Sequence, residues 1–321
     1  MSKNRYWRAV SVDCIRPEIF PNMAIYLKSS ENYILYKDHE RRLTEADLRR
    51  LERSFTEFIY VRSGDTQAVD EYLERCLDDA LTREDLSSEA KGNILYQASV
   101  NSVVDLFESP EESANLNRSR TLIRHMLQYV ATDPNALKSL RTVANNNLYL
   151  FAHSVQVAAL SLLFHEKRFN LAPDEMIDVG IGSLLHDFGM TFICSEVMDK
   201  PDALSKFEYH TVKQHTRKGY DFLKGTGHFS QIALQVVRHH HERYDGNGYP
   251  DGLKGDAIPR SAQVAAICNV YSALSLERPY RKASSQAEAL KAMAEDAKNG
   301  AFNQELFDCF YEIITEVSGT V

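Results

Sequence analysis

The chain has 321 residues, enough to bury the cores of one large domain or two modest ones without disulfide staples, and two domains are the expectation. A composition of 44% hydrophobic and 26% charged residues, with no Pro-, Gly- or Gln/Asn-rich tract, excludes a mainly disordered or fibrous chain. A net charge of −8 argues against a protein that coats polynucleotide backbones, because such binding needs clustered Lys and Arg to displace counterions.

The N-terminus, MSKNRYWRAVS, lacks the apolar core of a signal peptide, and the longest nearly apolar stretch, Val155 to Phe164, is too short to span a bilayer. The expectation is a cytoplasmic protein with no membrane partner. Cysteines at 14, 76, 194, 268 and 309 form no CxxC pair, which suits buried thiols in a reducing compartment.

Along the chain, the first part reads as mixed α and β. Met23 to Leu27 and Tyr33 to Tyr36 are short aromatic and apolar runs separated by turn-prone residues 28–32, a predicted hairpin. Thr44 followed by Asp47 looks like a capping box ahead of Leu48, Leu51 and Phe55 at helical spacing. Phe58 to Val61 reads as a further strand and 66–85 as a helix. Beyond that, β-type alternation fades and amphipathic helical patterns continue almost to Val321, broken at Pro110, Pro134, Pro173, Pro201 and the Gly-rich stretch 246–257. The expected organisation is a small α+β regulatory domain over 1–85, a helical connector over 86–118 and an all-helical domain over 119–321. The fold class is mainly α.

Chemistry concentrates in the helical part. His153, His186, His215, His239, His240 and His241 stand out, with Asp187 directly after His186. Imidazoles with a carboxylate suit Fe, Mn, Ni or Zn, and a carboxylate has two oxygens with which to bridge two ions, a part Asp187 is placed to play. His186-Asp187 ends the apolar run Gly180 to Gly189, and His153 lies within the apolar run Phe151 to Phe164. Ionic groups there are costly unless a metal or salt partner compensates their lost hydration. Taken singly, each histidine reads better as a satisfied core or surface residue than as a ligand; the set points to a site.

A second signature is HHHERYDGNGYP over 239–250. Adjacent helical residues point about 100° apart, so neighbouring histidines reach one site only near a helix end or across a metal pair. Gly246 and Gly248 allow backbone shapes closed to other residues, and Pro250 stiffens the exit. A turn after a polar helix is the plainer alternative.

In order and spacing, His153-Ser154, His186-Asp187, Lys200-Pro201, His215 with Gly219, 240–250, Arg278-Pro-Tyr-Arg281 and Gly300-Ala-Phe302 resemble the HD-GYP family over about residues 145–310. Residues 1–85 resemble, less decisively, the small domain that often precedes such modules. The resemblance implies an all-helical HD-type domain and hydrolysis of cyclic di-GMP or a related cyclic dinucleotide to pGpG or GMP, with water activated between metal ions. Carried over, a first metal would be held by His153, His186 and Asp187, and a second by Asp187, His215, His240 and His241. His186 and Asp187 would form the catalytic pair. One or two divalent ions are implied, iron or manganese first, nickel or zinc as alternatives. Lys200, Arg278 and Arg281 would contact substrate, with surface solvation their alternative, beside Gly248, Tyr249 and Pro250 in a loop that also serves signalling-protein partners. A homodimer is a candidate assembly.

Several positions depart from the pattern. Asn269 stands where the family has a further Asp ligand of the first metal. Met190 replaces a lysine able to meet a phosphate oxygen, Gln263 an Arg and Ser272 an Asp, and Tyr149 is not the Glu of three-metal members. The competing readings are therefore a phosphodiesterase, a catalytically weak or inactive module acting as cyclic-dinucleotide receptor or interaction adaptor, and an HD hydrolase of another nucleotide.

Overall fold

The computed structural model describes residues 7–317 except 31, 85, 134, 137–148, 199, 201 and 278–281. The chain forms two compact units, Met1–Ser102 and Val103–Val321. The division falls inside a helix, α3 (Ser88–Glu108), within the stretch expected to be a connector.

In the first unit a four-stranded antiparallel sheet runs in the order β1 (Trp7–Ser11), β4 (Phe58–Arg62), β2 (Ile25–Ser29), β3 (Asn32–Lys37). The expected hairpin is β2–β3, with Ser29 opposite Asn32 and Ser30 in the left-handed region at φ 54°. Helix α1 (Glu45–Arg53) starts on the expected capping box: Thr44 Oγ1 accepts from the Asp47 amide at 3.2 Å, and Asp47 accepts from the Thr44 amide at 3.0 Å. Helix α2 (Thr66–Thr82) supplies Val69, Leu73 and Leu77 to a core shared with Val10, Ile59 and Val61. Strand β1 carries no local signature in the sequence. It is held by a partner about fifty residues onward, β4, and by Trp7 stacked on Tyr33 at 4.2 Å, neither of which local periodicity reveals.

The second unit is helical: α4 (Ser113–Thr132), α5 (Tyr149–Arg168), α6 (Pro173–Leu185), the short α7 (Ser195–Met198), α8 (Lys206–Lys213), α9 (His215–Thr226), α10 (Gln231–His239), α11 (Arg260–Ser275), α12 (Gln286–Lys298) and α13 (Gln304–Val317). Helix α5 packs against α4, α6 and α11, and α10 against α6, α9 and α11. Because α5 and α11 are enclosed by neighbours, they are apolar on nearly every side rather than striped. No helix among the described residues is long and apolar enough to cross a membrane. The turn after α6 lies directly on the start of α9: a side chain at Gly189 would sit 1.9 Å from the His215 carbonyl oxygen and 2.9 Å from the Gly219 amide. Only glycine permits this approach, and it brings Asp187 to His215.

Candidate metal centre

Four chain segments meet around Asp187: α5 brings His153, the end of α6 brings His186, the start of α9 brings His215, and the end of α10 brings His240 and His241. Helix α10 stops at His239, so His240, its C-cap, and His241 lie just past its end, where two adjacent histidines can both reach the centre. His239 points elsewhere. Its Nδ1 lies 3.8 Å from Glu242 and 3.7 Å from Asp251, whose carboxylate is already held by Arg238 at 2.8 Å and Arg217 at 3.2 Å.

On one side, ligand atoms of Asp187, His215, His240 and His241 lie within 4.8 Å of one another. His215 Nδ1 donates to the Val212 carbonyl at 2.8 Å and His240 Nδ1 to the Val237 carbonyl at 3.0 Å. A carbonyl can only accept, so in each neutral ring the proton is on Nδ1 and Nε2 carries a bare lone pair. Those two lone pairs face each other at 3.3 Å, with Asp187 Oδ1 at 3.2 and 3.6 Å.

On the other side, ligand atoms of His153, His186 and Asp187 group in the same way. His186 Nδ1 donates to the Ser183 carbonyl at 2.8 Å, and its Nε2 lies 3.3 Å from both His153 Nε2 and Asp187 Oδ2. Ser272 Oγ donates to Gln156 at 2.7 Å, so toward His153 Nδ1 at 2.8 Å it is the acceptor. His153 Nε2 then faces the Asn269 amide oxygen at 2.9 Å. Ser272 and Gln156 thus aim His153; Ser272 was noticed in the sequence only as a departure, and nothing local marks Gln156.

Acceptors facing acceptors inside a buried pocket repel unless a cation lies among them. His186 is fully buried, and His153, His215 and His240 are no more than 3% exposed. Burial acts to raise the Asp187 carboxyl, but the imidazoles of His186, His215 and His240 outweigh it and hold it well below the usual carboxylate range. Burial pushes His240 down to about 4, and it pushes His241 well below the usual imidazole range, with neighbouring His240 and His215 adding to the effect. Asp187 is thus ionised and burial keeps His240 and His241 neutral, the forms in which these groups bind metal. At His186 burial is overcome by the Asp187 charge, which raises the imidazole, and a metal would displace its proton. The donor set of imidazole nitrogens with few oxygens fits a transition-metal dication better than calcium or magnesium.

The glycine-rich loop folds over this cluster. A side chain at Gly248 would lie 2.3 Å from the Arg243 amide, and the buried Glu242 carboxylate accepts from the amides of Asp251 at 2.8 Å and Leu253 at 3.1 Å. The Tyr249 amide donates to the His241 carbonyl, and the Tyr249 ring stacks on His241 at 4.6 Å. The Pro250 carbonyl accepts from Arg217 at 2.8 Å. Glu242 was missed as a loop-shaping residue although it lies inside the signature string. Lys200 is held by both oxygens of Glu208 at 2.9 and 2.8 Å. Arg278 and Arg281 lie outside the described residues.

A family model described as "HD domain" matches residues 138–306. The chain is 33% identical over 215 residues to a cyclic di-GMP phosphodiesterase of Pseudomonas aeruginosa, covering 66% of this chain and 51% of that protein. It is 39% identical over 125 residues to the cyclic di-GMP phosphodiesterase response regulator RpfG of Xanthomonas campestris, covering 39% of this chain and 33% of that one. The chain therefore spans about half the length of the first relative and a third of the second. Among solved structures it is similar to Bd1817, an HDG"Y"P protein of Bdellovibrio bacteriovorus, with a TM-score of 0.74, 20% identity and coverage of 96% of this chain and 99% of that one. With His186-Asp187 at the centre of the histidine cluster and the Gly-Tyr-Pro loop folded over it, the chain belongs to the HD domain family, in its HD-GYP branch.

Proposed function

We propose that the helical unit is a metal-dependent phosphodiesterase that hydrolyses cyclic di-GMP or a related cyclic dinucleotide to pGpG or GMP in second-messenger signalling. The observation that carries this reading is the single ionised carboxylate, Asp187, flanked on either side by buried Nε2 lone pairs. Relatives named as cyclic di-GMP phosphodiesterases, and others of Vibrio cholerae named as 3'3'-cGAMP-specific phosphodiesterases, support the substrate class.

His153, His186, Asp187 and Asn269 would hold one ion, and Asp187, His215, His240 and His241 the other; iron or manganese is proposed, with nickel or zinc as alternatives. When bound, such ions activate water and neutralise charge developing on the phosphoryl oxygens. The chain's own residues do the positioning. Nδ1–H bonds to Val212, Val237 and Ser183 lock three rings with Nε2 inward, so no reorientation is needed during the reaction. Tyr249, stacked on His241, walls one edge of the histidine cluster. Gly248, Tyr249 and Pro250, with Lys200, Arg278 and Arg281, form the proposed substrate contacts, and the loop is also proposed to meet signalling partners. For the first unit we propose a regulatory role, and for the protein a cytoplasmic setting.

A second reading, a receptor or adaptor of low activity, is favoured by one observation: the oxygen facing His153 belongs to the uncharged amide of Asn269. Anaerobic purification, metal analysis and assay of cyclic di-GMP and 3'3'-cGAMP turnover separate the two. Product formation in the native chain that disappears in Asp187→Ala supports the enzyme. Nucleotide binding without turnover supports the receptor.

A further inference from the structure

We propose that Lys213 is the side chain that meets a non-bridging phosphate oxygen of the substrate, in place of the cation that Met190 cannot supply. The inference rests on the phosphodiesterase reading and names one contact within it.

Of the basic side chains around the histidine cluster, most have their charge met. Lys200 is bound by Glu208, Arg217 and Arg238 by Asp251, and Arg243 lies 3.4 Å from Asp245. Lys213 differs. At the end of α8 and half-buried, it has no carboxylate within ion-pair distance among the described residues. Its ammonium instead lies 4.6 Å from the Tyr209 ring centre and 5.0 Å from that of Tyr249. Aromatic faces attract a cation without cancelling its charge, so the ammonium is held in place while staying free for an anion. Tyr249 stacks in turn on His241, and Lys213 precedes His215 by two residues, which puts the positive charge one ring away from the metal ligands. A diester oxygen at the histidine cluster would find in Lys213, on the Gly-Tyr-Pro side, a cation that no carboxylate among the described residues neutralises. That is the placement electrostatic stabilisation of a phosphoryl group requires.

The test compares the full-length, metal-loaded native chain with Lys213→Met and Lys213→Arg. The readouts are kcat and KM for cyclic di-GMP and 3'3'-cGAMP, calorimetric Kd, metal per chain and Tm. Lys213→Met should lower kcat/KM, or raise Kd, by roughly ten- to a hundredfold, the worth of a charged hydrogen bond. Metal content and Tm should stay at native values, and Lys213→Arg should recover most of the loss. The native KM should also rise with added salt more steeply than that of Lys213→Met. A Lys213→Met chain within twofold of native overturns the inference, as does a loss that follows metal content or Tm, which would make the lysine a prop for Tyr249. If the native chain neither binds nor cleaves either nucleotide, the phosphodiesterase reading itself fails and this contact falls with it.

Discussion

The two halves of the histidine cluster share Asp187 but are built differently. The half containing His215, His240 and His241 takes its ligands from helix ends, where backbone carbonyls accept the Nδ1 protons of His215 and His240. The half containing His153 and His186 draws its far wall from the middle of α5 and α11, where backbone groups are already paired, so side chains must do the aiming: Ser272 and Gln156 for His153, with Asn269 opposite. A ligand shell braced by backbone tolerates sequence change around it. One braced by side chains changes with each of them, and the family-pattern departures Asn269, Ser272 and Gln263 are all on α11.

The most severe way to break the comparison is to remove what the halves have in common. Asp187→Ala should abolish metal retention in both and lower turnover on the order of 10³-fold or more, checked by metal analysis and product formation. Ser272→Ala should act on one half only, loosening His153 and weakening the first ion by about ten- to a hundredfold, the usual cost of losing an outer hydrogen bond, while the second ion binds as before. Stepwise metal titration resolves the two, and equal weakening of both ions would contradict the asymmetry. Asn269→Asp should sharpen the contrast by reducing it: a second anion in the first half tightens that ion by roughly tenfold and moves metal per chain toward two. An unchanged stoichiometry and affinity would show that the amide is not what sets the first half apart.

The smallest effect concerns a buried histidine in neither half. Burial pushes His165 from 6.5 down to about 4, only partly offset by its bond to the Ser161 carbonyl. Above pH 6.5 both folded and unfolded chains leave it neutral. As pH falls from 6.5 toward 4, the unfolded chain takes up a proton that the folded chain refuses, so stability is lost across that window. Between pH 7 and 5.5 the loss is about 1 kcal/mol. His165→Leu in excess metal should remove that share of the acid slope in urea unfolding and leave turnover unaltered. An identical slope would mean that the acid sensitivity belongs to the metal cluster alone.

Much of this is legible in the sequence alone. The Thr44 capping box, the β2–β3 hairpin and the helical character of the second unit follow from local chemistry, and His153, His186, Asp187, His215, His240 and His241, singled out by residue type, are brought together by the fold. What stayed hidden depends on partners distant in sequence. Strand β1 exists because β4 pairs with it, and His153 is aimed by Ser272, 119 residues away. His239 shows the opposite limit: type and position favoured it, but a hundred-degree turn of helix sends it to Glu242 and Asp251 instead. Lys200, proposed on motif position as a substrate contact, is paired with Glu208, a partner its own motif does not reveal.

The backbone-to-backbone seating of Gly189 on His215 and Gly219 bears on how the protein acquires its ions. Where metal-binding side chains are gathered by the metal, stripping the ion unfolds the domain. Here two ligand-bearing segments are clasped by main-chain packing that involves no ion, so a chelated sample should keep its shape as a vacant cage and reload without refolding, its exchange kinetics governed by entry past the overlying loop.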